Sequence, residues 1–123
     1  MIFTSYFGNV KKLKQAGIVP VSIARYNPKW FNGLRIIELA PKSNMLRMSN
    51  EEYDPKYRAI LRGLNPKKIV EKIEILGNGK PVALLCYEKD PLECHRSMVA
   101  DWLKNAGYDS DEWHSDFSLF PSK

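Results

Sequence analysis

The densest chemistry in the chain lies in Cys86-Tyr87-Glu88-Lys89-Asp90-Pro91-Leu92-Glu93-Cys94-His95-Arg96-Ser97. Two thiols, an imidazole, a guanidinium and several carboxylates fall within twelve residues. A carboxylate and an imidazole at one site can exchange protons with a bound molecule, and the carboxylate can also act as a nucleophile. A thiol near a cation and a helix start gains thiolate character. An arginine can grip phosphate or carboxylate through two parallel bonds. Glu88, Cys94 and His95 are therefore the catalytic candidates, and Arg96 is the candidate ligand clamp. Each has a plainer alternative. Glu88 can be a solvated loop acid, Cys94 a small apolar filler, and His95 a core histidine bonded to backbone. Arg96 can pair with Glu93 or Glu88. Cys86, inside an apolar run, reads as core.

The elements around this passage decide where those groups point. Pro81–Glu88 reads as a strand, and its continuous run Val82-Ala83-Leu84-Leu85-Cys86-Tyr87 is expected of a central strand covered on both faces. Asp90-Pro91-Leu92-Glu93 combines a cap, a first-turn proline and an acid at the third position. It predicts a helix running to about Ala106, with Gly107 at its end. A strand end leading through a tight loop into a helix is where open α/β sheets bind ligands. A helix start also favours an anion. At 100° per residue, Leu92, Met98, Val99, Trp102, Leu103 and Ala106 share one apolar arc with His95, while Cys94 and Arg96 lie on opposite shoulders. His95 should then face the sheet near a cleft.

A second cluster, Arg25-Tyr26-Asn27-Pro28-Lys29-Trp30-Phe31, interleaves basic and aromatic side chains in a loop. Such a loop can stack a base and hold phosphate, or its aromatics can simply cover the edge of the core. Tyr6, Gly8 and Asn9 follow the first strand in the same way. Parallel strands would open all three loops on one edge, which makes Tyr6, Asn9, Arg25 and Trp30 further ligand-binding candidates. Cys86, Cys94, His95 and His114 carry metal-ligating atoms. Their spacing matches no zinc pattern, and neighbours on a helix diverge by 100°, so no metal or other cofactor is expected. The chain has no phosphate-binding loop, no dinucleotide glycine pattern, no Gly-x-Ser-x-Gly elbow and no evident helix-turn-helix.

The remaining segments supply the scaffold. Ile2–Phe7 reads as a strand, and Asn9 as the cap of a short helix through Ala16 that Gly17 stops. Ile18–Arg25 is a second strand, with Pro20 marking an edge or a strand start. Leu34–Leu39 is a third, followed by a polar connection from Pro41. Pro55 is expected to break any helix begun at Ser49, so the helix starts afresh with Asp54 as cap. Tyr57, Ile60, Leu61 and Leu64 then form its apolar stripe. Asn65-Pro66 opens the next helix, with Ile69, Val70, Ile73 and Leu76 buried and Gly77 as the stop. Trp113, Phe117, Leu119 and Phe120 suggest that part of the tail packs as a short last strand. Strands alternating with helices predict one α/β domain over residues 1–123, a small layered sheet, mostly parallel and flanked by helices.

Composition sets the outer limits. With 123 residues, 44% hydrophobic and 27% charged, disorder, a collagenous chain and a disulfide scaffold are poor fits. The apolar runs are too short to span a membrane, and the first residues do not resemble a secretion signal. Cytoplasm is the expected location, and the two cysteines are expected there as thiols. The net charge of +5 is uneven. Residues 1–87 carry 15 Lys and Arg against 6 Asp and Glu, whereas residues 88–123 carry 4 against 8. A basic body suits a phosphate-bearing partner or a nucleic acid, although solvated lysines on helix faces give the same count.

Several runs together resemble a known family. They are Ser5-Tyr6-Phe7-Gly8-Asn9, Val21-Ser22-Ile23-Ala24-Arg25 with Pro28-Lys29-Trp30, and Ala83-Leu84-Leu85-Cys86-Tyr87-Glu88 leading to Cys94-His95-Arg96, followed by Asp101-Trp102-Leu103. The chain resembles the small bacterial, archaeal and phage proteins of the domain of unknown function 488 family. That resemblance implies a compact α/β fold with its motif loops at one end of the sheet. It also implies a shared site of Glu88, Cys94, His95 and Arg96 with Arg25 and Trp30 nearby, and no established reaction. Pro41–Asp54 matches no recognised part. The leading expectation is an enzyme or ligand-binding domain acting on an anionic, nucleotide-like small molecule or a nucleic-acid component. Glycosyl or phosphoryl chemistry would use Glu88 and His95 as acid/base partners. The alternative is a non-catalytic nucleic-acid-binding accessory protein using the basic surface of residues 1–87.

Overall fold

Val82–Cys86 (β4) is buried at all five positions, and the sheet is built outward from it. The computed structural model describes residues 1–89 and 94–114. Ile2–Tyr6 (β1) lies parallel to β4 on one side, with Ile2 opposite Val82 and Tyr6 opposite Cys86. Val19–Ser22 (β2) lies parallel on the other side, with Val21 opposite Leu84. Two short strands complete the edges: Leu34–Arg35 (β3) beside β2 and Ser110–Glu112 (β5) beside β1. The order is β3-β2-β4-β1-β5, and every pairing is parallel.

Alternation along β4 explains the layers, because successive side chains leave a strand on opposite faces. Val82 and Leu84 join one cluster with Tyr57 and Leu61 of α2 (Asn50–Arg62), Ile69, Val70 and Ile73 of α3 (Pro66–Gly77), and Val99 and Leu103 of α4 (Arg96–Asn105). Ala83 and Leu85 join a second cluster with Val10 and Leu13 of α1 (Val10–Gln15), Phe7, Phe31 and Trp113. A strand apolar at every position is thus covered on both faces. No helix among the described residues is long and apolar enough to cross a membrane.

Several boundaries differ from the sequence expectation, each for a local reason. The second strand ends at Ser22, not Arg25. Pro20 pairs with Ala83, one residue before β3 begins at the Val21–Leu34 pair, so on that side β2 is still an edge and no donor is missed. The third strand is two residues long, and Ile37–Leu39 turns into a 3₁₀ helix. Pro55 does not delay α2. The helix starts after Ser49, whose Oγ accepts from Glu52 N, and Pro55 sits inside it. Ser49 and Glu52 have the spacing of a capping box, and the cap outweighs the one backbone bond a proline removes early in a helix. Asp54 is accordingly a helix residue, not a cap. In α3 the expected cap holds, with Asn65 Oδ1 accepting from Lys67 N and Lys68 N. Its stop is Asn78, in the left-handed region at φ 50°, rather than Gly77. Asn9 precedes α1 but caps nothing, and its Nδ2 donates to Ser5 Oγ at 3.0 Å. The predicted cap at Asp90–Glu93 and the aromatic tail residues Phe117, Leu119 and Phe120 lie outside the described residues.

Helix α4 begins at Arg96, so Cys94 and His95 sit in a turn ahead of it. Its buried face is Arg96, Val99, Ala100 and Leu103, at i, i+3, i+4 and i+7, while Ala106 is exposed. Arg96 is 0% exposed. All five of its N–H donors are used. Nε and Nη2 hold the two oxygens of Glu112 at 2.9 Å each. Nη2 also reaches Lys89 O at 2.9 Å, and Nη1 donates to Glu88 O and, at 3.3 Å, to Cys86 Sγ. Thr4 Oγ1 completes the cluster by donating to Glu112 Oε1 at 2.8 Å.

Arg96→Met keeps the length of the side chain but strands the Glu112 carboxylate and two main-chain oxygens. It should lower unfolding stability by about 3 kcal/mol, the scale for losing one partner of a buried ion pair. Urea denaturation followed by circular dichroism measures this. A midpoint within error of the parent protein would show that the cluster carries no stability.

Candidate functional site

Because all the strands run parallel, the chain leaves β1, β2 and β4 at one edge of the sheet. β1 hands on to α1 on one face, and β4 is followed by α4 on the other. Neighbouring strands whose connections part in this way leave a crevice at their C-terminal ends. A cavity of about 400 Å³ opens at this edge just past the end of β4, walled by α2, α4 and the segment 41–48 rather than by the β1 connection. Its wall includes Glu88, Cys94 and His95.

His95 is held from two sides. Its Nε2 lies 2.9 Å from Ile23 O, at the end of β2. A carbonyl oxygen only accepts, so Nε2 carries the ring proton and Nδ1 keeps its lone pair. The Tyr57 ring meets the imidazole edge-on at 4.9 Å, and Tyr53 stacks on Tyr57. Tyr57 is itself fixed by donating its hydroxyl to Leu39 O at 2.5 Å. Burial pushes the His95 pKa down to about 4, and the Arg96 charge adds to the effect while the Ile23 bond opposes it. The ring is therefore neutral near pH 7, with Nδ1 3.8 Å from Cys94 Sγ. Burial likewise raises the Tyr57 phenol well above its ordinary value.

The cysteines depart from expectation. Cys86 and Cys94 are joined as a disulfide, with Cα atoms 6.8 Å apart, where the sequence predicts two thiols. That spacing is at the long end of what a disulfide spans. The turn ahead of α4 brings Cys94 back over the end of β4. Released from the 100° step of a helix, Cys94 and His95 also converge instead of diverging. Cys86 Sγ, Cys94 Sγ and a His95 ring nitrogen lie within 4.8 Å of one another. Only thiolates make good metal ligands, so this trio could hold a soft ion in the reduced state alone.

Arg96 does not face the cavity as a clamp. Its donors are consumed inside the protein, and it positions the site instead, by gripping the main chain of Glu88 and Lys89. The wall contains groups the sequence reading passes over: Asp54, Arg58 and Tyr53 from α2, and Asp101 from α4. The Ser49 and Glu52 spacing could have revealed the first three, since starting α2 there puts Tyr53 and Asp54 one turn ahead of Tyr57 and Arg58.

The outlying candidates sit beside the cavity and do not line it. Arg25 Nε donates to Pro41 O at 2.8 Å, tying the β2 loop to the segment that forms the cavity's far wall. Tyr6 and Asn9 are half-buried at the end of β1. Trp30 is 62% exposed and touches Phe7 edge-on. Tyr87, 50% exposed, also packs against Phe7 and lines the cavity. An aromatic ridge thus runs from the cavity rim to the Trp30 loop.

No curated protein and no solved structure matches the chain. A family model described as the active DUF488-N3 subclade matches residues 10–107. That span contains β2, β4, the cavity wall and the Cys94-His95-Arg96 run, and by this match the chain belongs to the domain of unknown function 488 family.

Proposed function

We propose that this protein takes the base end of a nucleotide-like molecule, or of a nucleotide within a nucleic acid, into the cavity and acts on it there. The observation that carries the reading is the meeting of Glu88, Cys94 and His95 on one wall about the size of a small-molecule pocket. Asp54, Glu88 and Asp101 face the same space with Arg58. Carboxylates accept the N–H groups of a heterocycle and repel phosphate, so the phosphate would stay outside, toward the basic surface. Exposed Tyr87 and Trp30 offer faces for stacking. This charge pattern favours glycosyl over phosphoryl chemistry. Glu88 would serve as base or nucleophile, and neutral His95 would accept a hydrogen bond at Nδ1. Cys94 adds a thiol only when its disulfide is open.

Calorimetric titration with nucleosides, nucleoside monophosphates and a short single-stranded oligonucleotide tests this. Nucleosides should bind, and Glu88→Gln should weaken them about tenfold, near 1.4 kcal/mol. Binding confined to the oligonucleotide, steeply dependent on salt and indifferent to Glu88→Gln, would favour the accessory nucleic-acid-binding role instead.

The His95 environment has a separate consequence for stability. Its pKa is held down to about 4 in the folded protein, against about 6.5 when unfolded. Between those values the unfolded chain binds a proton that the folded one refuses, so stability falls as pH drops through this window. The loss should reach about 3 kcal/mol by pH 4. Urea midpoints at pH 7, 5.5 and 4 should therefore fall more steeply for the parent than for His95→Gln. Parallel slopes would mean that His95 protonates as freely in the fold as outside it.

A further inference from the structure

Cys86 and Cys94 share a bond but not an environment. Cys86 is 1% exposed at the end of the central strand. Arg96 Nη1 points at its sulfur from 3.3 Å, inside a guanidinium cluster that water does not reach. Cys94 is half-buried, lies on the cavity wall, and has the unprotonated Nδ1 of His95 3.8 Å from its sulfur. One sulfur can be approached from solvent and, as a thiol, can donate a hydrogen bond to that nitrogen. The other cannot be approached, yet it has a donor aimed at it that would stabilise it as an anion.

We propose that the two cysteines form a redox centre with divided labour, in which Cys94 attacks a low-molecular-weight disulfide entering the cavity and Cys86 resolves the product. In the first step the Cys94 thiolate attacks one sulfur of the disulfide. A Cys94–ligand mixed disulfide forms, and one ligand thiolate leaves and takes up a proton. In the second step the Cys86 thiolate attacks Cys94 Sγ, the Cys86–Cys94 bond forms, and the second ligand thiol departs. The small disulfide gains two electrons and two protons, and the protein dithiol loses them. The product is the paired state the structure holds. The centre shares a wall with the proposed nucleotide site but does not depend on what that site binds.

Oxidised glutathione added to the fully reduced full-length chain, with a chelator present, is the direct probe. Acid quenching followed by intact-mass and peptide mass spectrometry follows the products. The parent should lose two hydrogens and release two glutathione molecules, with early quenches showing the mixed disulfide at Cys94. Cys86→Ser should accumulate a stable one-to-one adduct at Cys94, and Cys94→Ser should react at least about tenfold more slowly at Cys86. A mixed disulfide mapped to Cys86 in the parent would overturn the proposal. Equal rates in the two variants, or a parent that stops at the mixed adduct, would overturn it as well. The early-quench mapping uses the parent alone, so the test survives a variant that fails to fold. Nucleoside titration has no part in it, so failure of the nucleotide reading would leave this result unchanged.

Discussion

A guanidinium without access to water must find a partner for each of its N–H groups, and Arg96 finds them on two stretches of chain, residues 86–89 and Glu112. An unpaired buried charge costs several kcal/mol, so the partners are effectively compulsory. Glu112 has to end β5 beside β1, and Glu88 and Lys89 have to turn their carbonyl oxygens inward past the end of β4. Helix α4 has to start where the side chain can reach both. The geometry of the cavity follows from that demand. With the Glu88 and Lys89 main chain fixed, the Glu88 carboxylate is left on the cavity side. With the first residue of α4 fixed, Cys94 and His95 fall in the turn above β4.

A second anchor comes from the opposite direction. The bond from His95 to Ile23 O ties the same turn to β2, and Tyr57 wedges against the ring from α2. One face of the site is therefore set by a charge cluster and the other by a neutral, aromatic-packed imidazole. The two anchors interact, since the Arg96 charge helps keep His95 unprotonated. A proton on His95 would place two cations side by side in a region with little water.

The sheet was legible because β4 is apolar at every position, which only a strand covered on both faces can be. The parallel arrangement followed from strands alternating with helices. That Glu88, Cys94 and His95 lie close together was legible from their place at a strand-to-helix junction. Arg96 was not, because an arginine at i with Val99, Ala100 and Leu103 behind it breaks the apolar stripe in any hydrophobicity pattern. Its partner Glu112 stands 16 residues on, at a separation no local rule connects. The disulfide was hidden by a helix boundary. A start at Pro91 puts Cys94 and His95 on a rigid 100° spiral, whereas the turn that exists lets Cys94 fold back to Cys86. The start of α2 failed for a similar reason, since Pro55 was given more weight than the Ser49 cap.

The same buried cluster explains why the site has the opposite charge from the one the sequence suggests. A basic chain with an arginine at a helix start looks built for an anion. Glu112 neutralises that arginine through both oxygens, and the guanidinium is fully enclosed, so its charge does little to offset the cavity's carboxylates. Arg58 is the cation facing Asp54, Glu88 and Asp101 among the residues lining the cavity. Charges that share a partly enclosed space interact more strongly than those spread over a solvated surface, where counterions screen them within about 10 Å. The net +5 of the chain therefore says little about the cavity. Three carboxylates against one guanidinium, not the net charge of the chain, set the field inside the cavity.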